Sequence, residues 1–168
     1  MASTVWLESP VGVFEVTLCA AGISEISLVK GQTISRAQCR AAEEKLNDAE
    51  RALVAKLTQA FAAYFDAGEP LPSSLALLEQ GTDFQRDVWA ALRRIPFGET
   101  LTYKALAEKV GRPSAWRAVG QACNRNPLLI LTPCHRVVGS GRSGLTGFAA
   151  GLEVKAALLA HEQRFKRK

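Results

Sequence analysis

The sequence predicts an α+β protein in two halves, with strands and one helix in the first half and mostly helices in the second. Short apolar segments between residues 5 and 29, separated by proline and glycine, predict two or three antiparallel strands. Between residues 43 and 65 the apolar side chains recur at helical spacing instead. After residue 80, capping residues and apolar stripes predict a series of shorter helices.

The first half divides into a small sheet, a loop and a long helix. Residues 9–12, Ser-Pro-Val-Gly, are typical of a hairpin turn, and the polar residues 30–42 predict a loop or a lost edge strand. The helix predicted from Glu43 to Phe65 carries a core stripe at Leu46, Leu53, Leu57, Ala60, Phe61, Tyr64 and Phe65. Residues 68–74 combine glycine, two prolines and two serines, so we place the linker there and the domains at 1–74 and 75–168.

The second half begins with a helix that Thr82 and Gln85 cap reciprocally and that ends before Pro96. The last predicted helix runs from Leu152 to about Arg164. Its polar face includes Glu162, which the pattern alone assigns to solvent.

Two helices between these predict a helix-turn-helix. Thr102 caps the first, from Tyr103 to Val110, and Ser114 caps the second, from Ala115 to about Cys123. The second helix has small residues at Ala118, Gly120 and Ala122. Such a shallow face fits either tight packing against another helix or close approach to a DNA backbone.

Charge is distributed unevenly along the chain. Residues 1–81 hold six Lys and Arg against ten Asp and Glu, for a net charge of −4. Residues 82–168 hold fifteen against six, for a net charge of +9. A polyanion is attracted to the second half, although a solvated basic surface explains the charge equally well.

Composition excludes several classes of protein. Apolar residues make up 48% of the chain and charged residues 22%, which is typical of a packed core and not of disorder. The sequence shows neither a membrane-spanning run nor a signal peptide, so we expect a cytoplasmic protein, or a nuclear one in a eukaryote. Four widely spaced cysteines and two histidines predict neither disulfides nor a metal site.

The candidate reactive residue is Cys134, which follows an apolar run and Pro133. Proline fixes its own φ, so Cys134 is expected at a rigid corner and not inside a helix. His135 offers a base and Arg136 a positive potential, and both favour the reactive thiolate. A Cys-His pair by itself more often indicates a buried, inert thiol.

The wider block around Cys134 resembles one family. Asn126-Pro127 followed by Pro133-Cys134-His135-Arg136-Val137 is similar to the active-site signature of the O6-alkylguanine-DNA alkyltransferases, the methylated-DNA–protein-cysteine methyltransferases. Residues 96–100 (Pro-Phe-Gly-Glu-Thr), Tyr103 and residues 117–120 (Arg-Ala-Val-Gly) are similar to the DNA-binding half of that family.

The resemblance implies a fold and a reaction. It implies a ribonuclease-H-like domain followed by a winged-helix or helix-turn-helix domain. The reaction implied is irreversible, one-step transfer of the alkyl group from O6-alkylguanine, and from O4-alkylthymine, to Cys134, with no cofactor. His135 and Glu162 would complete a relay with Cys134 through a water molecule, and Asn126 would brace the turn that holds the thiol.

The resemblance also implies how DNA is bound. A monomer, with cooperativity on DNA left open, would place the second helix of the helix-turn-helix in the minor groove of duplex DNA without sequence preference. Arg117 would fill the gap left by a flipped nucleotide, and Tyr103 would pack against the neighbouring phosphate. The remaining DNA contacts expected are Ala118, Gly120 and Arg125.

The expected substrate pocket is lined by Pro133, Val138, Phe148 and Ala149. Here the chain departs from the family, because Phe148 stands where a tyrosine is frequent and Ala149-Ala150 stand where glycines are common. A phenylalanine cannot donate a hydrogen bond to the guanine O6 atom. The departures affect the expected rate and alkyl range, and not the type of reaction.

Two other classes remain possible for this sequence. An alkyltransferase-like protein would bind damaged DNA without chemistry, but such proteins lack the reactive cysteine. A Cys/His hydrolase would need an oxyanion hole and a substrate cleft, and the sequence indicates neither. Alkylation of the thiol distinguishes the first alternative, and multiple turnover distinguishes the second.

The charge distribution generates a prediction about salt. DNA affinity should fall steeply with salt, with a log–log slope of about −0.9 per phosphate neutralised, and a fragment of residues 1–81 should not bind. Reaction with free O6-benzylguanine should hardly change over the same range, because the base carries no phosphate. Fluorescence anisotropy of a labelled duplex measures the binding. If DNA affinity did not change with salt, or if the acidic fragment bound DNA tightly, the prediction that the second half binds DNA would be wrong.

Overall fold

The computed structural model of the protein describes residues 2–140, 148 and 150–166. The chain forms two compact units, Met1–Glu79 and Gln80–Lys168. The first contains a sheet with helices, and the second is mainly helical. The mixed α+β class predicted from the sequence is therefore confirmed.

The sheet of the first unit is a three-stranded antiparallel meander. Strands β1 (Ser3–Ser9), β2 (Gly12–Cys19) and β3 (Gly22–Leu28) lie in the order β1-β2-β3. The predicted hairpin turn is present, because Ser9 pairs with Gly12 and the Ser9 hydroxyl donates to the Gly12 carbonyl at 2.7 Å. Alternate residues of β2 are buried, so one face of the sheet packs inward.

The expectation of a loop or lost edge strand at residues 30–42 is wrong. Helix α1 (Arg36–Glu44) occupies much of that stretch. None of its residues is buried, so it has no apolar stripe that periodicity could detect. Its sequence signal is a capping box, in which Ser35 and Gln38 each bond the other's backbone N–H.

The long helix begins later than residue 43. Helix α2 spans Asp48–Ala67, and Asn47 and Glu50 form its capping box. Its buried side chains are Leu57, Phe61 and Tyr64, which belong to the predicted stripe. The Phe61 ring meets the Phe14 ring of β2 edge-on at a centroid distance of 5.4 Å, so α2 covers the buried face of the sheet.

The division between the units lies after residue 79, whereas the sequence placed it after residue 74. The chain returns to the sheet beyond the linker, because Ile23 donates its N–H to the Ala76 carbonyl and accepts from the Leu78 N–H, both at 2.9 Å. Two backbone bonds therefore tie residues 76–78 to β3, and composition does not reveal such bonds.

Among its described residues, the second unit contains four helices and a single 3-10 turn. The helices are α3 (Asp83–Arg93), α4 (Tyr103–Lys109), α5 (Trp116–Asn124) and α6 (Leu152–Phe165), and the turn is Cys134–Arg136. The capping box of Thr82 and Gln85 and the cap by Thr102 are confirmed. Across the described residues, no helix is long and apolar enough to cross a membrane.

Ser114 does not cap the second helix of the helix-turn-helix pair. A turn closed by the Ala115 N–H and the Arg112 carbonyl includes Ser114, so α5 starts one residue later than predicted. Its N-cap is Ala115, which offers no side-chain hydrogen bond. The first turn of α5 therefore begins without a side-chain cap at the protein surface.

A short parallel pairing connects the 3-10 turn to this helix pair. Strand β4 (Leu101–Thr102) pairs with β5 (Val137–Val138). Strand β4 leads directly into α4, and β5 directly follows the turn that contains Cys134. The pairing therefore holds the start of α4 beside the candidate reactive cysteine.

Candidate active site

The loop before Cys134 is a sequence of tight turns. Ile130 adopts φ 69°, a left-handed conformation that is costly for a β-branched residue, and the Leu131 N–H bonds to the Leu129 carbonyl across it. Pro133, at φ −80° and ψ 66°, forms an inverse γ-turn in which the Cys134 N–H bonds to the Thr132 carbonyl at 2.8 Å. Cys134 follows as the first residue of the 3-10 turn, so its backbone is fixed on both sides.

Asn126 holds this loop and contacts the thiol. Its Nδ2 atom donates to the Thr132 carbonyl at 2.7 Å and to the Cys134 Sγ atom at 3.2 Å. Its Oδ1 atom accepts from the Leu128 N–H at 2.9 Å. A single buried amide thus fixes the loop and points a donor at the sulfur, where it favours the thiolate.

His135 and Glu162 lie in contact although 27 residues separate them. The His135 Nε2 and Glu162 Oε2 atoms are 2.5 Å apart, and both side chains are 1% exposed. Helix α6 supplies the glutamate and the turn after Cys134 supplies the histidine. The helical pattern alone assigns Glu162 to solvent, whereas the structure buries it against His135, the residue with which the family resemblance pairs it.

Arg136 and the Gly98 N–H also bind the Glu162 carboxylate, and Arg136 in turn binds the Ile95 carbonyl. Arg136 donates from Nε to Glu162 Oε1 at 2.8 Å and from Nη2 to Oε2 at 3.2 Å. The Gly98 N–H donates to Oε1 at 3.1 Å. The third nitrogen of Arg136 donates to the Ile95 carbonyl at 2.7 Å, at the end of α3. Glu162 therefore joins α6, the 3-10 turn and the loop after α3.

These contacts set the protonation states of the pair. Burial alone would raise the pKa of Glu162, but the hydrogen bonds and charges of His135 and Arg136 hold that pKa far below its usual value. Burial lowers the pKa of His135, even though Glu162 opposes the shift. At neutral pH the imidazole is neutral, and its Nε2 atom carries the proton that faces the carboxylate.

The remaining ring nitrogen is a buried base. His135 Nδ1 has no hydrogen-bond partner among the described residues, although it is enclosed in the protein. Buried polar atoms without a partner are rare and tend to mark functional sites. The lone pair on Nδ1 is thus available to accept a proton within the site.

The thiol itself is protected at rest. Burial raises the pKa of Cys134 to about 11, while the Asn126 hydrogen bond and the charge of Lys155 act in the opposite direction. Burial also raises the pKa of the neighbouring Cys123 to about 12. Cys134 is therefore a thiol at neutral pH and needs a base to form the thiolate.

Lys155 is a site residue that sequence reasoning missed. It is fully buried in α6, and its Nζ atom lies 3.5 Å from the Tyr103 hydroxyl. Burial lowers the pKa of its ammonium, and the two thiols oppose that shift. The sequence spacing could have indicated that Lys155 is buried, because it lies on the helix face that also carries Leu158 and Glu162.

The outer face of α5 forms one wall of a groove of about 860 Å³. Tyr103 of α4 lines the groove opposite Trp116, Arg117 and Gly120. Arg117 is exposed, and its guanidinium carbon lies 5.0 Å from the centre of the Trp116 ring. Arg125, a further expected DNA contact, is exposed at the C-terminal end of α5.

The surroundings of the small residues in α5 distinguish tight helix packing from close approach of an external partner. Ala118 is exposed and Ala122 is buried, so only Ala122 packs against the core. A Cβ atom added to Gly120 would meet nothing nearer than the Tyr103 ring at 3.8 Å, an ordinary contact. The fold tolerates a side chain there, which favours close approach of an external partner over tight helix packing.

The expected pocket residues are only partly described. Pro133 is buried, and Val138 and Phe148 are partly exposed. Ala149 and the loop residues 141–147 lie outside the described residues. All four cysteines are present as free thiols. No cluster of three or more potential metal ligands occurs among the residues that the structure describes.

Comparison with known proteins identifies related sequences. Residues 83–164 match the DNA-binding domain of 6-O-methylguanine DNA methyltransferase. A methylated-DNA–protein-cysteine methyltransferase from Methanosarcina barkeri is 42% identical over 159 residues, which is 94% of each chain. The constitutive enzyme of Bacillus subtilis is 50% identical over 111 residues, 66% of each chain.

Solved structures extend the similarity to the whole fold. The Mycobacterium tuberculosis O6-methylguanine methyltransferase gives a TM-score of 0.79 at 34% identity, covering 99% of this chain and 96% of that one. Mycobacterium tuberculosis OGT in complex with DNA gives 0.74 at 34% identity, with coverage of 97% and 94%.

The fold and the matched domain together define a methyltransferase that binds DNA. The chain belongs to the methylated-DNA–protein-cysteine methyltransferases, which repair DNA by moving an alkyl group to a cysteine of the protein. The family expected from the residues around Cys134 is thereby confirmed.

The shared carboxylate generates a stability prediction. Replacing Glu162 with Gln should destabilise the protein by about 3–5 kcal/mol at pH 7, because the buried Arg136 loses its counter-charge. Urea unfolding measures the difference. The matched control is Glu153→Gln, an exposed residue of the same helix, which should change stability by less than about 1 kcal/mol.

The same variant should show a defined pH dependence. The folded pKa of Glu162 lies below its unfolded value of about 4.3, so its stabilisation is complete above that pH and declines as the pH falls towards the folded pKa. The difference in unfolding free energy between wild type and Glu162→Gln should therefore decrease below about pH 4. If this difference stayed constant down to pH 3, Glu162 would not be ionised in the folded protein.

Proposed function

We propose that this protein repairs O6-alkylguanine, and O4-alkylthymine, in duplex DNA by transferring the alkyl group to Cys134. The observation that supports the proposal is the hydrogen bond that Asn126 donates to the Cys134 sulfur. The next residue, His135, faces Glu162 with its Nε2 atom. This is the order of nucleophile, base and orienting carboxylate that activates a weak nucleophile.

The first step is deprotonation of the thiol. The Cys134 proton moves through a water molecule to His135 Nδ1, and Glu162 stabilises the imidazolium that results. Asn126 and Lys155 stabilise the thiolate, because one donates a hydrogen bond and the other supplies positive charge. A base is required here because the pKa of Cys134 is about 11.

The second step is displacement at carbon. The Sγ lone pair attacks the alkyl carbon in line, a carbon–sulfur bond forms, and the bond from that carbon to guanine O6 breaks. Guanine leaves with the bonding electrons and takes up a proton. The S-alkylcysteine is a thioether without a good leaving group, so each molecule reacts once and no cofactor is needed.

This chemistry separates the proposal from its rivals. An alkyltransferase-like binding protein has no reactive cysteine, whereas Cys134 here lies within a network of donors and a base. A Cys/His hydrolase would turn over repeatedly. One equivalent of product per protein is therefore the kinetic signature that we expect.

DNA binding is assigned to the face of α5 that lines the groove. We place this helix in the minor groove, where Ala118 and Gly120 permit close approach and Arg117 fills the space left by the flipped nucleotide. Tyr103, which lines the groove, and the exposed Arg125 at the C-terminal end of α5 are the proposed phosphate contacts. This face of α5 carries one arginine among small residues, so it has too few side chains to recognise a base sequence through hydrogen bonds to base edges. The helix face therefore supports binding without sequence preference.

Several finer assignments follow from family membership. We propose that the first unit is ribonuclease-H-like and that the second is a winged-helix variant of the helix-turn-helix. We further propose that the protein acts as a monomer in the compartment that holds the chromosome, the cytoplasm of a prokaryotic cell or the nucleus of a eukaryotic one. Pro133, Val138, Phe148 and Ala149 remain the proposed pocket wall, with Phe148 limiting the rate because it cannot donate to O6.

Replacing Cys134 with Ser should abolish alkyl transfer and leave DNA affinity unchanged, because a hydroxyl is a far weaker nucleophile at neutral pH. Mass spectrometry of the intact protein after exposure to O6-methylguanine DNA measures the transfer. The partly exposed Cys19 and Cys39 provide matched controls, since their serine variants should still be alkylated once. A methyl label found on any cysteine other than Cys134 would disprove the assignment.

Replacing Arg117 with Ala should reduce repair of duplex DNA much more than reaction with free O6-benzylguanine. The free base needs no flipping, so the side chain that fills the gap has no role in its reaction. Single-turnover rates on the two substrates measure the difference. Arg112→Ala is a suitable comparison, because Arg112 is also exposed and stacked on an aromatic ring. Equal losses on both substrates would assign Arg117 to the fold instead.

A further inference from the structure

Trp116 exposes a large aromatic side chain at the first position of α5. It is 46% exposed, whereas Trp89 is 1% exposed in the core of the same unit. Trp6 is partly exposed and its indole N–H donates to Glu15. An indole this exposed at the start of a surface helix suggests contact with a partner that presents flat apolar faces.

The surroundings of Trp116 identify the chemistry of that partner. The ring lines the groove with Tyr103, Arg117 and Gly120. Between residues 100 and 152 the sequence has seven Lys and Arg but one acidic residue, Glu108. Aromatic side chains set among cations are the usual platform for nucleobases, because the cations bind phosphate and the rings stack on the bases.

We propose that Trp116 is a second DNA-stacking side chain, which lies against a nucleobase that becomes exposed when the target nucleotide leaves the duplex. The proposal rests on the function proposed above, since base flipping creates the exposed face. Arg117 fills the gap itself, and Trp116, the adjacent residue, covers a base at its edge. The indole is the largest aromatic surface available among side chains, so it suits this role.

A purely internal role for Trp116 is the alternative. The Arg117 guanidinium lies over the ring, so the indole could serve only to hold the arginine in position through a cation–π contact. The arrangement favours direct contact with DNA because almost half of the Trp116 surface stays exposed despite this neighbour, and because the ring lines the groove. The experiments below separate the two roles.

The first experiment uses the fluorescence of the protein. The chain has three tryptophans, so the signal can be assigned by single substitutions. In a Cys134→Ser background, a duplex that contains O6-methylguanine should quench the emission. The quenching should disappear with Trp116→Phe and persist with Trp6→Phe, the matched control. Quenching that survives Trp116→Phe, or an emission that DNA does not change, overturns the proposal.

The second experiment compares rates at subsaturating substrate. In Trp116→Ala, the ratio of the rate on duplex DNA to the rate with O6-benzylguanine should be about tenfold lower than in wild type. A decrease of this size is expected for the loss of one base–aromatic stack. Trp116→Phe, which keeps a ring, should retain most of the duplex rate. Thermal unfolding verifies that both variants are folded. Equal rates on duplex DNA for wild type and Trp116→Ala overturn the proposal.

A double-mutant cycle then distinguishes contact with DNA from support of Arg117. If Trp116 contacts a base, Trp116→Ala should still lower the duplex rate severalfold in an Arg117→Ala background. If the indole acts only through the arginine, the second substitution has no further effect, and the proposal fails. Labelling of Cys134 in the wild type tests the underlying function separately, because absence of that label would refute alkyl transfer whatever Trp116 does.

Discussion

The carboxylate of Glu162 is the group on which the geometry of the active site depends. It accepts hydrogen bonds from His135 and Arg136 of the 3-10 turn and from the Gly98 N–H in the loop after α3, so it joins two segments of the chain to α6. An isolated buried carboxylate is strongly unfavourable, so α6 can dock only when these partners are in place. The same contacts that assemble the second unit therefore fix the tautomer of the histidine beside the reactive thiol.

Burial in the second unit disfavours the thiolate form of Cys134. It raises the pKa of Cys134 to about 11, which under the proposed reaction would protect a single-use cysteine from other electrophiles. Asn126 and Lys155 partly offset that burial. Because they act on the sulfur within a low-dielectric interior, their effect on the thiolate is larger than it would be in water.

The groove on α5 and the Cys134 thiol are linked through short elements of backbone. Strand β5 leaves the Cys134 turn and pairs with β4, which leads into Tyr103 and the helix pair. The groove on α5 combines the partly exposed Gly120 with Arg117 and Trp116. A surface of this kind allows a duplex to come close while large side chains project from the start of the helix.

Local patterns in the sequence determined most element types, the two helices α4 and α5, and the family, because strands, caps and the block around Cys134 are each contained in a few consecutive residues. Helix α1 escaped detection because it buries no side chain, and the paired strands β4 and β5 escaped because each is two residues long. The tertiary structure alone decided that Arg136 and the Gly98 N–H share the Glu162 carboxylate with His135, and that Lys155 is buried with its Nζ atom 3.5 Å from the Tyr103 hydroxyl. Such contacts join residues far apart in the chain, and a helical pattern shows which residues share a face but not what that face meets.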